Sequence, residues 1–139
     1  IGGLAQMEGD FEVYGMAIPG ADVTEARKFF DMLTAKYKLT AKWDVTTLMG
    51  MNQALVAVRA IEGAVKDVGA AKLTGVAVRD SILKNPISAK QTFGVLPDLA
   101  YTREAPFPLK GLTVNIGTVT GGKYVTAAEN VAVPVLNKW

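Results

Sequence analysis

Trp43-Asp44-Val45-Thr46-Thr47-Leu48-Met49-Gly50-Met51-Asn52-Gln53-Ala54-Leu55-Val56-Ala57-Val58-Arg59-Ala60-Ile61-Glu62-Gly63-Ala64-Val65 is the stretch that decides how this chain folds. Leu48, Met51, Leu55, Val58, Ile61 and Val65 recur at spacings of three and four, which lays them along one stripe of an α-helix. Ala54, Ala57, Ala60 and Ala64 widen that stripe almost all round, so the pattern predicts a helix buried on two sides. Thr46 or Thr47 supplies the N-cap and Gly69 closes the helix. Such a helix needs apolar partners on more than one side.

Outward from it, the partners are few. Phe11 to Ile18 alternates loosely, as a strand does, until Pro19-Gly20 ends it. Asp22 caps the next helix, with Glu25 completing a capping-box-like pair. Ala26, Phe29, Phe30, Leu33 and Tyr37 form its inner face over Val23 to Lys38. A third, short helix follows Thr74 and carries Val78 and Ile82 before Asn85-Pro86 stops it. Thr92 to Val95 reads as a short strand, and Pro97 to Pro108 as a loop punctuated by proline. Leu112 to Val119 alternates with its apolar residues on one side only. Thr120-Gly121-Gly122 turns the chain, and Lys123-Tyr124-Val125 returns as the second strand of a hairpin. The tail to Trp139 has little periodicity. Leu48, Met51, Leu55, Val58 and Phe29 are the expected core.

The class is therefore α/β. The order strand, three helices, then mostly strand alternates too little for a complete doubly wound sheet. The expectation is part of a larger α/β body.

Composition excludes much chemistry. Of 139 residues, half are hydrophobic and one fifth charged, which describes a globular chain. The net charge is +2, and Lys and Arg stand singly, so no nucleic-acid stripe forms. Histidine and cysteine are absent, which removes the imidazole base, the thiolate nucleophile, the disulfide and the His-based zinc site. The acidic residues lack calcium-loop spacing. Asp80, Asp98 and Glu104 stand alone and read as surface charge. Gly2-Gly3 is no dinucleotide fingerprint, and no phosphate loop or nucleophile elbow occurs. The expectation is a non-enzyme with no cofactor and no metal. No apolar run reaches the roughly 20 residues that span a bilayer.

One junction attracts a functional reading. Trp43-Asp44-Val45-Thr46 places a flat aromatic face and a carboxylate beside the free N–H groups of a helix start. Such a junction can grip a small zwitterion or an aromatic acid. It equally suits a Trp that covers the helix end while Asp44 or Thr46 caps it.

Larger blocks of the chain are familiar. Ala35-Lys36-Tyr37 ends one helix, and Met51-Asn52-Gln53-Ala54-Leu55-Val56-Ala57-Val58 opens the next. Phe93-Gly94-Val95-Leu96-Pro97-Asp98-Leu99-Ala100-Tyr101-Thr102 follows, then Lys110-Gly111-Leu112 and a hairpin ending in Gly121-Gly122-Lys123-Tyr124-Val125. This succession resembles the C-terminal part of type I periplasmic solute-binding proteins of the branched-chain amino acid and aromatic-acid ABC importers. It covers nearly the whole chain.

The resemblance implies two Rossmann-like lobes that close on a small carboxylate held between them. Residues 1–18 and 111–125 would belong to the C-terminal lobe and 21–108 to the N-terminal lobe, with hinges at Pro19-Gly20 and Lys110-Gly111. It further implies that Trp43, Asp44 and Thr46 touch ligand, and that the family's main ligand-binding positions lie upstream. The implied partners are a membrane permease and the remainder of the parent chain or a second copy, with no nucleic acid. The implied location is the periplasm, after export on a signal peptide that is not in this sequence. A ligand-sensing regulatory domain on the same fold is the alternative.

Overall fold

The computed structural model describes residues 3–104 and 112–134. After a short 3-10 helix at Leu4–Met7, the chain forms β1 (Phe11–Tyr14), α1 (Glu25–Tyr37), α2 (Val45–Val68) and α3 (Gly75–Lys84). A hairpin of β2 (Thr113–Thr120) and β3 (Lys123–Ala132) ends it. The strands make one antiparallel sheet in the order β1-β2-β3. The described residues are thus a small α/β domain with three helices and three strands.

Each helix begins where a side chain accepts a hydrogen bond from the first turn, which otherwise has no acceptor for its N–H groups. α1 is capped by Thr24, whose Oγ1 accepts Arg27 N–H at 3.2 Å, and not by Asp22. The Asp22 carboxylate accepts Thr126 N–H of β3 at 2.7 Å instead. α2 is capped by Asp44, whose Oδ1 accepts Thr47 N–H at 2.9 Å, and not by Thr46 or Thr47. The reason is offset. The cap must be the extended residue three before the donor, and Asp44 has φ −150° while both threonines already lie inside the first turn. Gly69, at φ 79°, ends α2 as expected. α3 starts on Thr74 and stops before Asn85-Pro86.

The expected strand at Thr92–Val95 is a tight turn. Phe93 and Gly94 both have positive φ, 54° and 72°, which no extended strand allows. The turn aims Val95 and Leu96 inward. They join Ala17, Ala26, Leu48, Leu55, Ile87 and Leu99 in the core, with Phe29, Trp43 and Met51 packed against it. The Phe29 ring stacks on Phe93 with centroids 3.9 Å apart. β1 is shorter than Phe11 to Ile18 because Ala17 N–H leaves the sheet for Val95 O at 2.8 Å.

α2 is covered on one side only. Leu48, Leu55, Ala60 and Ala64 are buried, but Val58 and Ile61 remain 46% and 43% exposed. Val58 is therefore not a core residue. Gly50, Ala54, Ala57, Val58, Ile61, Val65 and Val68 share the outer face without one charge, over a length of about 27 Å at 1.5 Å per residue.

The sheet repeats the theme. Phe11 and Val13 pair with Thr118 and Ile116, which places them on one face of the sheet. Phe11 is 69% exposed and Val13 66%. The buried positions of β2, Gly117 and Val119, are on the opposite face. There the Tyr124 ring lies over Gly117, where a Cβ would overlap it. Its hydroxyl donates to Glu12 at 3.2 Å, as does that of Tyr14 at 2.5 Å. Burial, reinforced by this pairing, raises the pKa of both phenols above the ordinary 10.0.

Three outcomes follow from this packing. Leu55→Ala should cost about 2–5 kcal/mol in urea denaturation, whereas Val58→Ala should change stability by less than about 0.5 kcal/mol. Gly117→Ala should lower the thermal midpoint by displacing the Tyr124 ring; an unchanged midpoint would mean that the ring does not rest there. Raised phenol pKa values give stability that is complete below pH 10.0 and is lost as pH rises through the folded-state values. Alkaline melts of wild type and Tyr124→Phe should therefore converge.

Candidate functional site

The residues singled out from sequence have structural partners. Trp43, half-buried, donates its indole N–H to Gly20 O at 3.0 Å. Its ring packs on Phe30 at 5.4 Å between centroids, and the Arg27 guanidinium stands 5.4 Å from the ring centre. Asp44 is the α2 cap described above, and Thr46 is exposed in the first turn. None of the three lines the cleft described next. Trp43 thus pins the crossing between β1 and α1 and covers the start of α2.

Of the expected hinges, Pro19-Gly20 lies in that crossing, and Lys110-Gly111 lies outside the described residues. Gly20 is buried for want of space: a Cβ on it would approach Tyr124 O to 2.9 Å. Ala21 N–H donates to the same Tyr124 carbonyl at 2.8 Å. With Asp22 bound to Thr126 N–H, the crossing is stitched to β3 at two points.

Just beyond the stitching a cleft of about 210 Å³ opens between sheet and helices. A cavity of roughly 150 Å³ accepts benzene, so this one has room for a slightly larger molecule. Its helical side is made by Thr24, Glu25 and Ala26 at the start of α1 and by Gly94 to Pro97. Gly94 supplies the left-handed backbone of the turn, at φ 72°, beside the Glu25 and Ala26 end of α1. The first-turn N–H groups of a helix favour an anion.

The sheet side carries Thr113, Asn115, Glu129 and Asn130. β3 bulges opposite Asn115: two steps along β2 from Val114 to Ile116 face three along β3 from Val131 to Ala128. The freed amide donates Nδ2 to Met16 O at 2.9 Å and accepts Asn130 N–H on Oδ1 at 3.0 Å. Asn130 sits at φ 55°, a backbone that Asn tolerates better than most residues. Asn115 is thus spent on holding the wall. Glu129, exposed on β3, makes no ion pair among the described residues. An anion-favouring helix start, with Glu25 turned to Lys28, and the Glu129 carboxylate therefore line one cleft, which suits the two ends of a zwitterion. A usable sequence signal existed here: an Asn within an otherwise alternating strand is a poor strand former and points to a special role.

A second cavity, open and about 540 Å³, lies beside α3 between Arg79, Ile82, Leu83 and the Tyr101–Arg103 segment. Among the described residues no group of three or more acidic side chains is placed to hold a metal, and no helix is long and apolar enough to cross a membrane.

Trp43→Phe keeps a ring in place and loses the bond to Gly20, so it should destabilise the chain by about 1 kcal/mol in urea denaturation. Unchanged stability combined with a weakened ligand would return Trp43 to the ligand-binding role.

No protein-family model, curated protein or solved structure matches this chain.

Proposed function

We propose that this chain is part of the solute-binding component of an ABC importer, which holds a small carboxylate between two lobes and delivers it to a membrane permease from the periplasm. The observation that carries this reading is the cleft, one wall from the sheet and the other from α1 and the 94–97 turn, at the point where the chain crosses between them. A division of 1–18 and 111–125 from 21–108 would put the strands in one lobe and the helices in the other, with Ala17 reaching across to Val95 in the helical core. On this reading the lobes close about Ile18 to Asp22, and closure buries the ligand.

The cleft supports an amino acid as the ligand. Its carboxylate would lie on the Glu25 and Ala26 N–H groups at the positive end of α1, and its ammonium on Glu129. The volume limits the side chain to a few carbons. The absence of His and Cys leaves acid/base and thiol chemistry without its usual groups, in keeping with binding and release.

The two bare apolar faces support membership of a larger body. The outer stripe of α2 and the Phe11–Val13 side of the sheet are of the kind that a neighbouring layer covers in an α/β protein. Left bare, they are contiguous apolar surface of the kind that marks an interaction face.

Titration calorimetry with leucine and with its des-amino analogue, 4-methylpentanoate, tests the ligand assignment. Leucine should bind at least tenfold more tightly, and Glu129→Gln should erase most of that preference. Equal affinity for the two, or a preference untouched by Glu129→Gln, would remove Glu129 from the site. Light scattering on the isolated chain should show association; a monomer with a cooperative melt would mean that the apolar faces need no cover.

A further inference from the structure

The larger cavity shares no residue with the interlayer cleft and differs from it in chemistry. Its floor is apolar: Ile82 and Leu83 project from α3, and the half-buried Tyr101 ring closes the far side. Two guanidiniums stand on its rim, and no acidic residue among the described residues lines it. Both arginines are drawn to one spot by Asp80. Arg79 donates to Asp80 Oδ1 from Nε at 3.0 Å and Nη2 at 2.7 Å, and Arg103 Nη2 lies 3.6 Å from the same oxygen. One carboxylate facing two guanidiniums leaves one positive charge over, with other N–H groups on each fork still able to donate. At about 540 Å³ the cavity falls within the roughly 300–1,000 Å³ of small-molecule sites, whereas the interlayer cleft falls below it.

We propose that this groove is a second ligand site, taking a small monocarboxylate with an aromatic or branched aliphatic body. The carboxylate lies on Arg79 and Arg103, and the apolar end rests on Ile82, Leu83 and Tyr101. A phenyl ring meets Tyr101 and the aliphatic floor, while the carboxylate reaches the rim where the unpaired charge is. Burial also keeps the Tyr101 phenol protonated beyond its ordinary range, so it adds no negative charge to the site. The site is independent of the amino acid reading of the interlayer cleft, because an ammonium group gains nothing beside two guanidiniums.

The probe is 3-phenylpropionate, followed by amide chemical shifts on labelled protein, with 3-phenylpropanamide as the neutral isostere and inorganic phosphate as an anion without an apolar body. The expected result is saturable shifts at Ile82, Leu83 and Tyr101, at least tenfold weaker binding of the amide, and no saturable shifts there with phosphate. Arg79→Gln with Arg103→Gln should weaken 3-phenylpropionate at least tenfold, while Glu129→Gln leaves it unchanged. Both arginine side chains are largely exposed, 56% and 72%, so the double variant should keep its fold, which its thermal melt checks. If it does not fold, the comparison of acid with amide decides alone. Equal binding of acid and amide, no saturable shift at the groove, or loss of binding in Glu129→Gln would overturn the proposal.

Discussion

The 2.8 Å hydrogen bond from Ala17 N–H to Val95 O, with the packing that surrounds it, is the contact on which the rest of this molecule depends. It takes the chain out of β1 and sets it against the 92–96 turn in the floor of the core. Val95 and Leu48 have no exposed surface there. The turn reaches that depth because Phe93 and Gly94 reverse the backbone in left-handed conformations. Such a buried turn would strand polar groups without a local acceptor. Thr92, itself fully buried, supplies one: its Oγ1 accepts Leu96 N–H at 3.3 Å and shares its single proton between Ala89 O and Leu96 O, each at 3.1 Å. Remove that hydroxyl and Leu96 N–H loses its acceptor, while the other N–H groups of the turn keep their backbone carbonyls.

Consequences spread outward from this point. α1 begins beside Gly94, so its first turn faces the cleft. α2 presents its Leu48–Leu55 edge to the same core and leaves its opposite edge bare. The sheet is held at a distance by the crossing instead of by side-chain packing, which is why a cleft remains between the layers. Interior bonds fix the helices, and a few backbone bonds fix the sheet to them.

The sequence made the helices legible because a period of 3.6 is written repeatedly along Leu48 to Val65, and Gly69 and Pro86 mark ends in ways independent of tertiary structure. Caps were harder. Asp44, Thr46 and Thr47 are all good N-cap residues, and only the backbone of the first turn distinguishes them. Thr92 to Val95 failed because four residues of mixed polarity suit a strand and a turn alike; positive φ at Phe93 has no signature in a residue of that size. Alternation in β2 gave the period correctly but not the covered face. The residues with the stronger apolar pattern, Val114 and Ile116, are less covered than Gly117 and Val119. β3 ran on past Val125 to Ala132 unseen, since the bulge opposite Asn115 puts its second half out of phase. Trp43 depended on a carbonyl 23 residues away in sequence, which no local pattern encodes.

On the proposed reading, Gly20 and its neighbours must both hold the layers and let them move. The crossing is stitched by Ala21 to the Tyr124 carbonyl and by Asp22 to Thr126 N–H. A neutral bond of this kind contributes about 1 kcal/mol net and one to a charged acceptor about 1.5–3. Breaking both would cost a few kcal/mol. Carrying a two-state equilibrium from one in a hundred to ninety-nine in a hundred needs about 5.5 kcal/mol of differential binding, and a micromolar ligand releases about 8 kcal/mol in all. A ligand that touched both walls of the cleft could therefore drive the layers from one arrangement to another even against these stitches. A ligand seated beside α3 could not, because every group that lines that groove belongs to the helical side. On that reading the interlayer cleft would couple binding to movement, and Gly20, too closely packed for any side chain, is where that movement would pivot.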